Sequence, residues 1–273
     1  MFEEVAMATS SAKARTLKQR TKAKPKKTAT KAKGKRKSPS GIATSDLLVS
    51  AHVATNDEIF PLILDLHVPK GATIADVTYG TGIFWKRVPK GVYTLKPSDL
   101  KTGVDCTKLP YKDATINCVV LDPPYMEGLF RRTKGQLAGS GKYAAFRSTY
   151  SNGASTNGGP KYHDAVLDLY FRAGKEAHRV LTKGGVFIVK CQDEVSANLQ
   201  RLTHVELINA YAQQGFFAKD LFVIVRSNKP GVSRILKQRH ARKNHSYFLV
   251  FTKINTKVQG REHGHSGGLG HKP

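Results

Sequence analysis

Three scarcities bound this chain of 273 residues. Cysteine occurs only at positions 106, 118 and 191, with no CxxC pair and no even disulfide framework. That excludes a thiolate metal site and a disulfide-stapled module; the three read as reduced packing residues of an intracellular protein (cytoplasm or nucleoid, or nucleus). No apolar run approaches the roughly 20 residues needed to cross a bilayer, so a membrane-spanning protein is discarded. Acid is also scarce: 20 Asp and Glu stand against 45 Lys and Arg, a formal charge of +25. Such a field favours a polyanionic partner, with nucleic acid preferred over a membrane surface. Residues 1–41 hold thirteen Lys and Arg against Glu3 and Glu4, a charge of +11, so 42–273 still carries +14.

Residues 8–41 are Lys/Ala/Thr-rich and almost free of large apolar side chains. They cannot bury enough surface to offset the entropy of ordering, which predicts a disordered basic arm over 1–41. Spaced lysines hold no base-reading geometry, so the arm's expected role is nonspecific phosphate contact. Glu3, Glu4 and the dominance of Lys over Arg argue against a transit peptide. Residues 259–273 form a Gly/His-rich tail, read as a frayed terminus without a metal site.

What is present between these ends, 42–258, has the size of one domain. Strands are expected at 73–77, 91–95, 118–121, 186–189, 221–225 and 247–251. Helices are expected at 164–181, where Val166, Leu169, Tyr170, Ala173, Ala177, Val180 and Leu181 recur at three- and four-residue spacing, and at 204–214. Lys183-Gly184-Gly185 should stop the first of them. Strand alternating with helix predicts an α/β fold, a mainly parallel sheet with helices on both faces. The last two strands, joined by a loop, suggest an antiparallel edge.

Val119-Val120-Leu121-Asp122-Pro123-Pro124-Tyr125 is the most informative stretch. Two prolines cannot continue a sheet, so the chain must leave as a stiff loop at the strand's carboxyl end, where open α/β sheets place their ligands. The loop offers a carboxylate, carbonyls whose amides carry no hydrogen, and an aromatic ring. Asp122 and the Pro123 carbonyl can each accept one hydrogen of an exocyclic amino group, while Tyr125 stacks on its ring. A plain Pro-Pro turn is the competing reading. Earlier, Asp76-Val77-Thr78-Tyr79-Gly80-Thr81-Gly82 closes another strand with a Gly-rich turn of the kind that approaches a ligand closely, and a following helix would add free N–H groups. It lacks the third glycine of a dinucleotide fingerprint. Asp99, 23 residues beyond Asp76, stands where an acid often accepts ribose hydroxyls, and is equally readable as a turn residue.

Asp122-Pro123-Pro124-Tyr125 after an apolar strand resembles the catalytic motif of the S-adenosylmethionine-dependent DNA amino-methyltransferases, which act on adenine N6 or cytosine N4. The arrangement of strands and helices resembles the fold of the Rossmann-like methyltransferases over nearly all of 44–252, in keeping with the motif's resemblance. It implies a Rossmann-like methyltransferase fold with S-adenosyl-L-methionine as cofactor. Asp76, Gly80 and Gly82 fall on the turn that cradles the methionine part, with Thr78 where the family often has Phe. Asp105, heading Asp105-Cys106-Thr107-Lys108-Leu109-Pro110-Tyr111, falls on the segment that holds the cofactor's adenine. Residues 56–63 resemble the helix preceding the family's first strand. Asp at the head of the motif is commoner in the family's adenine enzymes, so adenine N6 in DNA is preferred. An RNA base N-methyltransferase (guanine N2 or adenine N6) and a nonenzymatic nucleic-acid-binding protein stay open. Substrate contact is expected from a loop insertion over 126–162 and from 226–244, which carries Arg226, Lys229, Arg234, Lys237, Arg239, Arg242 and Lys243 and no acid. Lys190, Gln192 and Asp193 are left outside the catalytic set, since a lone charge at a strand end is as often structural.

Overall fold

A computed structural model describes residues 41, 45, 47–127, 159–227 and 237–254. Most of the 126–162 insertion, residues 228–236, the basic arm and the Gly/His tail lie outside these. Contacts separate 1–45 from 46–273, and all that follows concerns the second unit.

Nine strands and three helices make up the described part. They are β1 (Ala51–Val53), α1 (Asn56–His67), β2 (Thr73–Asp76), β3 (Thr94–Pro97), β4 (Ile116–Leu121), α2 (His163–Val180), β5 (Leu181–Cys191), β6 (Glu194–Ser196), β7 (Leu199–Arg201), α3 (Thr203–Gln213), β8 (Phe216–Val225) and β9 (His245–Lys253). Seven strands form one sheet in the order β1-β8-β9-β5-β4-β2-β3, and β6 and β7 form a separate hairpin. β3, β2, β4 and β5 run parallel, whereas β9 is antiparallel to both β5 and β8. This is the α/β, Rossmann-like arrangement, with the antiparallel pair toward one edge.

The hydrophobic runs explain the layering. β4 is buried on both faces apart from Asn117, as a central parallel strand must be. One face packs α2 and α3 through Val166, Leu169, Tyr170, Ala173, Leu207 and Tyr211. Gly174 lets these helices touch: a Cβ there would stand 2.3 Å from a Tyr211 ring carbon. The other face packs α1 with an aromatic group, Phe60, Phe84, Trp85 and Phe248, whose ring centroids lie 5.1–6.0 Å apart in the pairs that touch.

Several boundaries differ from expectation. Lys183-Gly184-Gly185 does not stop α2 as a separate turn; α2 ends at Val180 and these residues lie inside β5, with Gly184 at φ +72°. The second strand begins at Thr94 instead of Gly91. The helix expected after the glycine turn is a single 3-10 turn, Ile83–Trp85, because Pro89 and Gly91 leave too little chain before β3.

Candidate active site

β2, β4 and β5 end side by side. Asp76 of β2 pairs with Val120 of β4, and Leu121 of β4 with Val189 of β5. Asp122 and Lys190 are therefore the next residues along two neighbouring strands.

The Asp-Pro-Pro-Tyr loop leaves at this edge. The Tyr125 hydroxyl donates to Asp122 Oδ1 at 2.5 Å, which ties the ring to the carboxylate across three residues. Pro123 is buried and Asp122, Pro124 and Tyr125 are half-buried. Burial first, then the Asp122 charge, pushes the Tyr125 hydroxyl well above its usual value, so it remains a donor.

The glycine turn meets this loop directly. The Asp122 amide donates to Thr78 Oγ1 at 2.6 Å. A Phe at position 78 could not make that bond, so the departure at Thr78 supplies a polar tie. Gly80 and Gly82 both have positive φ, +56° and +69°, the left-handed region that glycine enters without strain. Their surroundings differ. A Cβ at Gly80 would meet nothing nearer than the Thr78 carbonyl at 3.8 Å, whereas at Gly82 it would strike the Tyr79 hydroxyl at 2.5 Å. Gly80 keeps an open surface for a ligand; Gly82 makes room for Tyr79.

Asp76 lies beneath the turn, accepting from Trp85 Nε1 at 2.7 Å and the Thr78 amide at 3.2 Å. Burial raises its carboxyl to about 7 against the pull of those two bonds, and the Asp122 and Asp99 charges add to the rise. Asp99 Oδ2 accepts from the Gly80 amide at 3.0 Å, and its Oδ1 from the Lys101 and Thr102 amides at 2.7 and 3.1 Å. Of the two readings of Asp99, the turn role is thus visible, and it braces the glycine turn; a ribose would share a carboxylate already holding three amides. Asp105 Oδ1 accepts from the Thr107 amide and hydroxyl, both at 2.8 Å.

These groups fit the expected cofactor. Its methionine part is cationic, and buried Asp76, bonded to the Thr78 amide of the same turn, is a carboxyl that a nearby cation would ionise. Among the described residues no group of His, Cys, Asp and Glu could hold a metal ion. The three cysteines are buried and free, and burial raises each thiol. None is poised as a nucleophile.

A model of the DNA methylase family matches residues 116–263, over half of the chain. The chain belongs to the DNA methylase family. The matched stretch begins with β4 and contains Asp122, Pro123, Pro124 and Tyr125. Enzymes of this family draw their methyl group from S-adenosylmethionine. No curated protein matches the chain. Distant likenesses exist among solved structures. A Thermus thermophilus protein assigned as a DNA modification methylase is 19% identical over 56% of this chain and 52% of its own, with a TM-score of 0.34. TrmN from Thermus thermophilus is 13% identical over 72% and 49%, TM-score 0.41. A SAM-dependent methyltransferase from Methanosarcina mazei is 12% identical over 70% and 97%, TM-score 0.38. The chain spans about half the length of each of the two Thermus thermophilus proteins.

Two features of the site escape a reading of the sequence. One is the bond from Thr78 to Asp122, which joins residues 44 positions apart. The other is Lys190, whose only sequence signal is its place at a strand's carboxyl end.

Proposed function

We propose that the protein transfers a methyl group from S-adenosylmethionine to an exocyclic amino nitrogen of a nucleic-acid base, with adenine N6 in DNA the preferred target. The observation that carries this reading is the hydrogen bond between Thr78 and the Asp122 amide, which joins the glycine turn and the Asp-Pro-Pro-Tyr loop into one site. S-adenosylmethionine supplies, when bound, an electrophilic methyl group on a sulfonium.

The residues divide the remaining work. Asp76 and Gly80 would receive the methionine part and Asp105 the adenine, while Asp99 would meet the ribose only by sharing the carboxylate that holds the Gly80, Lys101 and Thr102 amides. A base amino group is a weak nucleophile because its lone pair is delocalised into the ring. Asp122 and the Pro123 carbonyl accept its two hydrogens, which draws the nitrogen toward sp³ and frees the lone pair. The nitrogen would then gain a bond to the methyl carbon as that carbon's bond to sulfur breaks, the electron pair staying on sulfur as a neutral thioether, and would give up one proton, for which Asp122 is the neighbouring base. Positioning and electrostatics supply most of the acceleration. In a duplex the target atom is shielded, so the base must leave the stack and rest against Tyr125. The basic segments 1–41 and 226–244 support a polyanionic substrate, phosphate contacts giving affinity without sequence information.

Nucleoside mass spectrometry tests this, on DNA and RNA incubated with the protein and methyl-labelled cofactor. Labelled N6-methyladenine from DNA is expected. Label in cytosine, or in RNA alone, would move the substrate assignment; label in neither nucleic acid would overturn the reaction.

A further inference from the structure

Lys190 is 1% exposed at the carboxyl end of β5. Its Nζ has no hydrogen-bond partner among the described residues and rests 3.9 Å from the centroid of the Phe248 ring. Phe248 is also its cross-strand partner on β9, so the contact places Lys190 on the aromatic face shared with Val120 and Ile188. Burying an ammonium without an acceptor destabilises a fold, and a ring face offsets only part of that. Packing alone would be better served by an apolar side chain of similar volume. The position therefore calls for a role that needs the charge.

The groups around it supply one. On β4 the next strand end carries Asp122, whose negative charge acts on Lys190 and favours its protonation. Arg226, following β8, opposes it as a like charge, and the neighbouring Cys191 is a buried thiol. Beyond Asp122 lies Asp76, and these two acids oppose each other's ionisation. Tyr125 adds a neutral donor to Asp122. Three adjacent strands thus end in a cation, a carboxylate and a carboxyl, in the order Lys190, Asp122, Asp76.

Resting on the amino-methyl transfer reading above, we propose that Lys190 is a positioning residue: its ammonium holds Asp122 as an ionised, acceptor-only carboxylate beside the competing acid Asp76. A protonated Asp122 would turn a donor toward the amino group and lose its grip on one hydrogen. Burial lowers Lys190 to about 8, so it is charged at neutral pH and throughout the acid range in which Asp122 would otherwise take up a proton.

The test follows the Asp122 carboxyl carbon by NMR across a pH titration of the full chain, with Asp122→Asn identifying the resonance. Lys190→Met is expected to raise the Asp122 midpoint by roughly one pH unit. The acid limb of single-turnover methylation should move equally, with S-adenosylmethionine affinity unchanged. Lys190→Arg, which keeps the charge, should restore both. The reciprocal measurement uses Asp122→Asn, which should lower the midpoint of the Lys190 amine and decides the matter even if Lys190→Met fails to fold. An Asp122 midpoint unmoved by Lys190→Met, or a Lys190 midpoint unmoved by Asp122→Asn, overturns the inference. Both titrations need no turnover, so a wild-type protein that methylates nothing would defeat the proposed reaction while the midpoints still decide the role of Lys190.

Discussion

β5 separates two polar neighbourhoods that the fold treats in opposite ways. On the side of α2 and α3, the charged groups near the strand end are matched. His163, 1% exposed, lies between Glu194 at 2.8 Å and Glu206. Asp193 accepts from the His204 ring at 2.7 Å and from the Tyr247 hydroxyl at 3.2 Å, and those two rings stack 4.3 Å apart. On the side of α1, Asp76 is pushed up to about 7, Lys190 is pulled down to about 8, and the lysine Nζ has no hydrogen bond. Acids paired with ring and hydroxyl donors hold structure together, whereas a buried ammonium without an acceptor keeps charge available for a ligand. Under the proposed reaction, the contrast puts stability on the first side and chemistry on the second.

Asp122→Ala should break the chemical side most severely. It removes an acceptor of the amino hydrogens, and single-turnover methylation should fall by about 10²–10³-fold, with cofactor affinity little changed in a parallel titration. A variant near wild-type rate would refute the amino-methyl transfer reading. The matched side should answer to His163→Leu instead, which leaves two carboxylates without their cation. Stability in denaturant at pH 6 should drop by roughly 3 kcal/mol, the low end for a broken buried pair because Glu206 is 34% exposed. Burial opposes the His163 charge, but hydrogen bonds to Glu194 and Glu206 outweigh it and raise its value. Its contribution should therefore be full below about pH 6.5 and fade as pH rises through the raised folded value, a decline the variant should lack.

Tyr125 sharpens the comparison on a smaller scale. Tyr125→Ala removes a stacking surface and should weaken capture of the flipped base by roughly 1–3 kcal/mol. Tyr125→Phe keeps the ring, loses only the bond to Asp122 Oδ1, and should retain much of the activity. The last effect concerns Asp76. A cationic ligand selects its ionised form, so S-adenosylmethionine affinity should rise with pH up to about 7 and then level off. Calorimetry on Asp76→Asn should find this dependence, at most about tenfold per pH unit, flattened.

The strand ends are legible in the sequence because an apolar run broken by Pro123 and Pro124 has few other readings, and the family match covers that loop. The spacing within 164–181 likewise foretells the buried stripe of α2. β1 is not legible: three residues, Ala51–Val53, exposed on alternate positions, owe their strand to pairing with β8. The β6–β7 hairpin turns on Ala197 and Asn198, both at positive φ, without the Asn-Gly pair that marks such turns. Gly82 reads from sequence as a ligand contact, yet the room it leaves is taken by Tyr79. Beyond its place at a strand end Lys190 carries no signature, since the Phe248 ring under its ammonium lies 58 residues away in the chain.

The bond from Thr78 to the Asp122 amide has one further consequence. It ties the glycine turn to the head of the Asp-Pro-Pro-Tyr loop, so under the proposed reaction a displacement of the cofactor's turn would be carried to the loop that receives the base. Whatever factor the first ligand adds to the affinity for the second, the second must return to the first. Thr78→Val, which removes that tie, should leave the affinity for each ligand independent of the other.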